Sequence, residues 1–156
     1  MLRAHVRIAI VAATLFVAAS VNIDAQLHEK REAKISDSEK PQNVKGGSSF
    51  QAAVPYEKAY AGALNYLKRE GYTIDSAGVD TGQIITAMDI KGGYKQTGTR
   101  VQVTCIKVSD DRTSVRVVVT EQKRTKLLQT EPWGDAKANE SESSKIATQI
   151  MAAIGS

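Results

Sequence analysis

The alternation of apolar and polar positions divides the chain into a helical part, a long strand-like part and a second helical part. Tyr56, Tyr60, Ala63, Leu64 and Leu67 recur at helical spacing, with Pro55 at the start and Gly71 at the stop. Glu57, Lys58, Lys68 and Arg69 fall on the opposite, solvated face. The period then shortens to two. Tyr72 to Ser76 is followed by a turn at Gly78, Asp80 and Gly82, and Gln83 to Ile90 places Ile84, Thr86, Met88 and Ile90 on one face. The connector of residues 92–98 (GGYKQTG) reads as a flexible hairpin loop. Arg100 to Val108 turns Val101, Val103 and Cys105 inward, and Thr113 to Lys123 does the same with Val115, Val117 and Val119 across an Asp110-Asp111 turn. Asn139 and Glu142 have the spacing of a capping box, ahead of a stripe of Ile146, Ile150, Met151 and Ile154. The predicted fold is α+β: a two-layer sandwich of one helix, a four-stranded antiparallel sheet and a C-terminal helix, with both helices on one sheet face.

The N-terminal third follows other rules. Arg3, His5 and Arg7 precede an apolar run from Ile8 to Val21, after which Asn22 and Asp24 restore polarity. This is the anatomy of a secretory signal peptide over residues 1–25, and the run is shorter than the roughly 20 residues a bilayer-spanning helix needs. Cleavage after Ser20 and cleavage after Ala25 both suit the pattern. Residues 26–49 mix both charge signs with Ser, Pro and Gly and read as a flexible polar linker. Residues 50–156 then form a single domain, exported to the periplasm or the medium, with no stable membrane anchor once the signal is cleaved.

Charge and chemistry narrow the range of functions. The 156 residues carry a formal +4, and Arg3, Arg7 and Asp24 leave with the signal, so the exported chain is near +3. Spread over both signs, that excess falls short of the basic footprint of a nucleic-acid binder. Cys105 is the single cysteine, which rules out an intramolecular disulfide and reads as a small buried hydrophobe. His5 and His28 both precede the domain, so histidine triads and histidine-rich metal sites are not expected in it, and no cofactor is expected. Asp75, Asp80, Asp89, Asp110, Asp111 and Glu121 fall at turns or on outward strand positions. A hydrolase would need two of them to converge in a cleft.

Three surface features remain. With the valines inward, Ile85, Ala87, Gln102, Thr104, Ile106, Arg116, Val118 and Thr120 lie on an open sheet face. Ile85, Ile106 and Val118 form an apolar cluster there amid Arg and Thr, and with Arg116 they are the candidate partner-binding residues. Lys123, Arg124 and Lys126 form a candidate basic patch for an acidic partner or anionic headgroups, against the plainer reading of a solvated strand end. Trp133, beside Pro132, closes an edge of the core. The expected function is a non-catalytic binding or scaffolding module for a protein or envelope component. The alternative is a small-ligand carrier with a pocket between helix and sheet lined by Tyr56, Tyr60 and Met88.

The segments PYEKAYAGALNYLKREGYTI and DTGQIIT, followed by the paired valine-rich strands, carry a family likeness over Phe50 to Ile154. The chain resembles small bacterial envelope domains such as the repeated domains of the C lipoprotein of the outer-membrane β-barrel assembly machinery. The resemblance implies a groove between helix and sheet used for protein contacts, and no catalysis. The chain departs from that pattern in having one such domain and no lipidation cysteine.

Overall fold

Two long strands organise the domain. In the computed structural model, which describes residues 26–34, 36–126 and 131–155, β5 (Lys95–Ser109) and β6 (Arg112–Thr125) pair antiparallel along nearly their whole length. Their turn, Asp110-Asp111, contains no left-handed residue, and the register shifts by one between Lys107 and Ser109. A bulge of this kind lets the hairpin close without a glycine.

Shorter strands flank the hairpin on both sides. β1 (Ser48–Ala52) and β7 (Lys137–Ala138) share the free edge of β6, while β3 (Gln83–Thr86) and β4 (Asp89–Lys91) share that of β5, and β2 (Ile74–Gly78) pairs with β3. The architecture is α+β, as expected, but the antiparallel sheet has seven strands rather than four.

Of the three extra strands, β1 and β7 form in stretches that show no strand pattern in the sequence, and β4 arises where a single expected run is broken. Gln83 to Ile90 reads as one strand, yet β3 pairs Ile84 with Val103 whereas β4 pairs Asp89 with Thr99. One additional residue lies between those registers, and a one-residue slip reverses every side chain. Ile84 and Thr86 are therefore buried as expected, while Ile90 is exposed on the other side. The connector read as a loop is mostly strand, since β5 begins at Lys95 after a tight turn at Gly92 (φ +98°).

Each break is bridged by a buried hydroxyl. Between β3 and β4 the Val101 N–H donates to Thr86 Oγ1 at 3.0 Å, and between β1 and β7 the Val119 N–H donates to Ser143 Oγ at 2.9 Å. Val101 and Val119 face each other across the hairpin. The two amides that lose a strand partner are thus both satisfied, which avoids a cost of about 1–3 kcal/mol for each if left bare.

Helix α1 (Tyr56–Arg69) follows Pro55 and ends in a glycine-dependent cap: Tyr72 N–H reaches Leu67 O, Gly71 N–H reaches Lys68 O, and Gly71 has φ +84°. Helix α2 (Glu140–Gly155) starts at the expected cap, with the Glu142 N–H donating to Asn139 Oδ1 at 3.1 Å. One core gathers Val101, Val103, Cys105, Val115, Val117, Val119 and Ile84 with Ala59, Ala63 and Leu67 of α1 and Ile146, Ile150 and Ile154 of α2. Met151, counted in the apolar stripe, is exposed. Gly62 of α1 sits against Ile154, where a Cβ would come within 2.9 Å of its Cγ1.

The stretch read as a linker is not uniformly loose. Residues 26–34 and 36–39 are helical, with His28–Glu32 and Asp37–Lys40 pairs at 3.4 and 2.6 Å. Polar side chains paired at i, i+3 and i, i+4 favour a helix even without an apolar face. Residues 41–47 belong instead with the domain, and β1 begins at Ser48. The expected signal segment, with both cleavage positions, lies outside the described residues.

Candidate partner-binding surface

Alternation on β5 and β6 sends a second set of side chains away from the core: Gln96, Gly98, Arg100, Gln102, Thr104 and Ile106 opposite Arg124, Gln122, Thr120, Val118, Arg116 and Ser114. The sequence suggested an open face here. Instead, Val118 is only 5% exposed, and Arg100, Thr120 and Gln122 are buried with it.

Two irregular segments cover this face. The first is a strap, residues 41–47. Arg116 donates from Nη2 to the carbonyls of Gly46 (2.7 Å) and Val44 (3.2 Å) and from Nε to Gly46 (3.2 Å), while Gln102 Nε2 donates to Gln42 O at 3.1 Å. Gly47 lies directly on the sheet: a Cβ there would stand 2.4 Å from Val117 O and 2.8 Å from Val118 Cγ2, and φ is +91°. Its N–H is held by both carboxylate oxygens of Glu140, each at 3.0 Å. Arg116 and Val118 are thus occupied by the chain itself, which corrects their assignment to partner contact.

The second cover is residues 131–136. Trp133 is buried, but against this face and outside the main core: the Cβ position of Gly98 lies 3.0 Å from its Cη2 and 2.3 Å from Met88 Sδ. Only a glycine leaves room for both. The Arg124 guanidinium stacks over the indole at 4.2 Å from the ring centroid and donates to Gln96 Oε1 at 2.8 Å. Gln122 Nε2 donates to Gly134 O at 2.9 Å, and Ala136 N–H donates to Gln42 Oε1 at 3.0 Å, joining the two covers.

The basic trio does not converge. Arg124 faces Trp133, whereas Lys123 points to the other side and pairs with Glu121 at 3.1 Å. Lys126 lies past the end of β6, its N–H on Tyr94 O.

The pocket expected between helix and sheet is also taken apart. Tyr56 and Tyr60 stack on each other at 6.3 Å, and the Tyr56 hydroxyl donates to Val79 O. Met88, meant to line the same pocket, packs on Gly98 instead. Burial raises both tyrosine pKa values above the ordinary phenol range and pushes the Cys105 thiol up to about 11, so that sulfur stays protonated at neutral pH.

Open clefts lie elsewhere among the described residues. One, of about 640 Å³, lies beside the start of α2 between Glu121, Lys123, Asp135, Lys137 and Glu140. Another, of about 470 Å³, lies between the end of α1 and β4. Both are lined by polar and apolar residues together. The hairpin-turn carboxylates are engaged locally: Asp110 pairs with Lys107 at 2.7 Å and Asp111 accepts from Ser109 Oγ at 2.7 Å, contacts that lower both pKa values. Among the described residues no three Asp, Glu, His or Cys side chains group as a metal site.

What remains uncovered is the turn end of the same face. Ile106 is 58% exposed on a regular stretch of β5, opposite Ser114, and Ile85 of β3 is half-buried beside Gln102. Val79 and Val108 are exposed at this end as well. Of the four residues suggested for partner contact, Ile106 is accessible, Ile85 partly so, and the other two are covered. Compared with known proteins, the chain matches no protein-family model and no curated sequence.

Proposed function

We propose that this chain is an exported, non-catalytic module that docks a protein of a bacterial cell envelope through the uncovered corner around Ile106. Residues 1–25 act as its signal peptide, and the module works in the periplasm or the medium without a membrane anchor. Its two domain helices lie on one face of the sheet in a two-layer arrangement, so the docking corner is on the opposite face. The helix, antiparallel strands and closing helix that follow β1 support the likeness to envelope domains that make protein contacts.

The observation that carries this reading is the exposure of Ile106. Every other side chain that β5 sends to this face from Gly98 to Thr104 is buried or half-buried, whereas Ile106 stands in solvent with Val79 and Val108 at the same end. An aliphatic left bare on an ordered strand beside small polar groups suits the centre of a modest interface.

A photo-crosslinker at Ile106 in living cells, compared with one at Lys95 at the other end of β5, tests the proposal. A discrete protein adduct is expected from Ile106 and not from Lys95. An Ile106→Lys chain that melts normally and still captures that protein from envelope extract would sink it.

A further inference from the structure

An exposed strand edge offers unpaired N–H and C=O groups to any passing strand, and proteins ordinarily blunt such edges with charge, proline, bulges or brevity. Among the described residues, four strands have a neighbour on one side only: β1, β2, β4 and β7. β2 carries Asp75 at a register shift. β4 is three residues long with two of them charged, and β7 is a two-residue strand containing Lys137. β1 has none of these defences. Its sequence, SSFQA, is uncharged and proline-free, and its pairing to β6 is regular over all five residues. Among the described residues, no hydrogen bond reaches its backbone from the side away from β6.

We propose that β1 is a self-association edge, pairing antiparallel with β1 of a second copy about a twofold axis at Phe50. A neutral strand meets itself without like-charge conflict. Antiparallel pairing also brings the exposed Lys45, just ahead of the strand, toward the end at which the second chain continues to the exposed Glu57. A twofold contact is self-complementary and closes, so it gives a dimer whose sheet runs unbroken from one copy into the next. Phe50 and Ala52 face the core, so Ser49 and Gln51, both exposed, are the side chains that meet across the axis. The docking corner around Ile106 does not enter this argument, and either proposal can fail alone.

The test is molar mass by light scattering over a dilution series, on the protein as its host exports it. Wild type is expected to show a dimer that dissociates on dilution. Gln51→Lys, which sets each lysine near the second copy's Arg116 and Ser49, should weaken the dimer about tenfold at an unchanged melting temperature. Adding Ser49→Glu should restore it by placing opposite charges across the axis. A wild type that stays monomeric throughout overturns the proposal, as does a dimer indifferent to both changes.

Discussion

The two faces of the β5–β6 hairpin are buried by different physics. The core face is closed by aliphatic contact, valines against Ala59, Leu67, Ile146 and Ile150, and depends on volume and shape. The strap face is closed by directed hydrogen bonds from Arg116, Gln102 and Gln122 to backbone carbonyls, with Trp133 and Met88 packed at one end of it. The first surface resists as a whole; the second can open in parts, because each bond holds its own short length of chain.

The largest test of that contrast is on the core face. Leu67→Ala should cost about 2–5 kcal/mol of global stability, read from urea unfolding, because the rigid surroundings leave a cavity. Arg116→Ala removes the bonds to Val44 and Gly46 and should cost about 1–3 kcal/mol, with faster hydrogen exchange confined to residues 42–47 and their neighbours on β6. Loss of protection throughout the domain would break the distinction.

Alkaline pH probes the core face by another route. The folded Cys105 thiol titrates at about 11 against an ordinary value of 9.0, so burial favours the neutral form. Its contribution is fully present below pH 9 and is lost as the pH rises through 11. A melting-temperature profile should therefore fall across that window, and less steeply in Cys105→Val. Native protein should also react slowly with a thiol reagent, and unfolded protein quickly. The smallest effect belongs to Ile106→Lys, a surface change expected to stay within about 0.5 kcal/mol of wild type.

The core face was legible in the sequence because period-2 valines and a 3.6-period helix signal apolar burial directly. The strap face was not, because an arginine and two glutamines that bind carbonyls look the same in sequence as residues that bind water. One clue was available. Val117, Val118 and Val119 are consecutive, and an unbroken apolar run marks a strand covered on both sides. Alternation alone assigned Val118 to solvent. The slip between Thr86 and Asp89 was equally silent, since Ile90 continues the alternation of Ile84 while facing the other way. The basic trio failed for a simpler reason: adjacent strand residues point to opposite faces, so Lys123 and Arg124 share a sequence position without sharing a surface.

The strap's contacts have a consequence for the order of assembly. Arg116 meets Gly46 across 70 residues, Gly47 meets Glu140 across 93, and Gln42 meets Ala136 across 94, whereas the hairpin closes over a two-residue turn. Closing long loops costs more entropy than closing short ones, and these loops have an anchor only after β6 and α2 exist. The segment synthesised before the domain is accordingly the last to settle on it. Until then residues 41–47 stay accessible, and it is their docking that covers the second face of the hairpin.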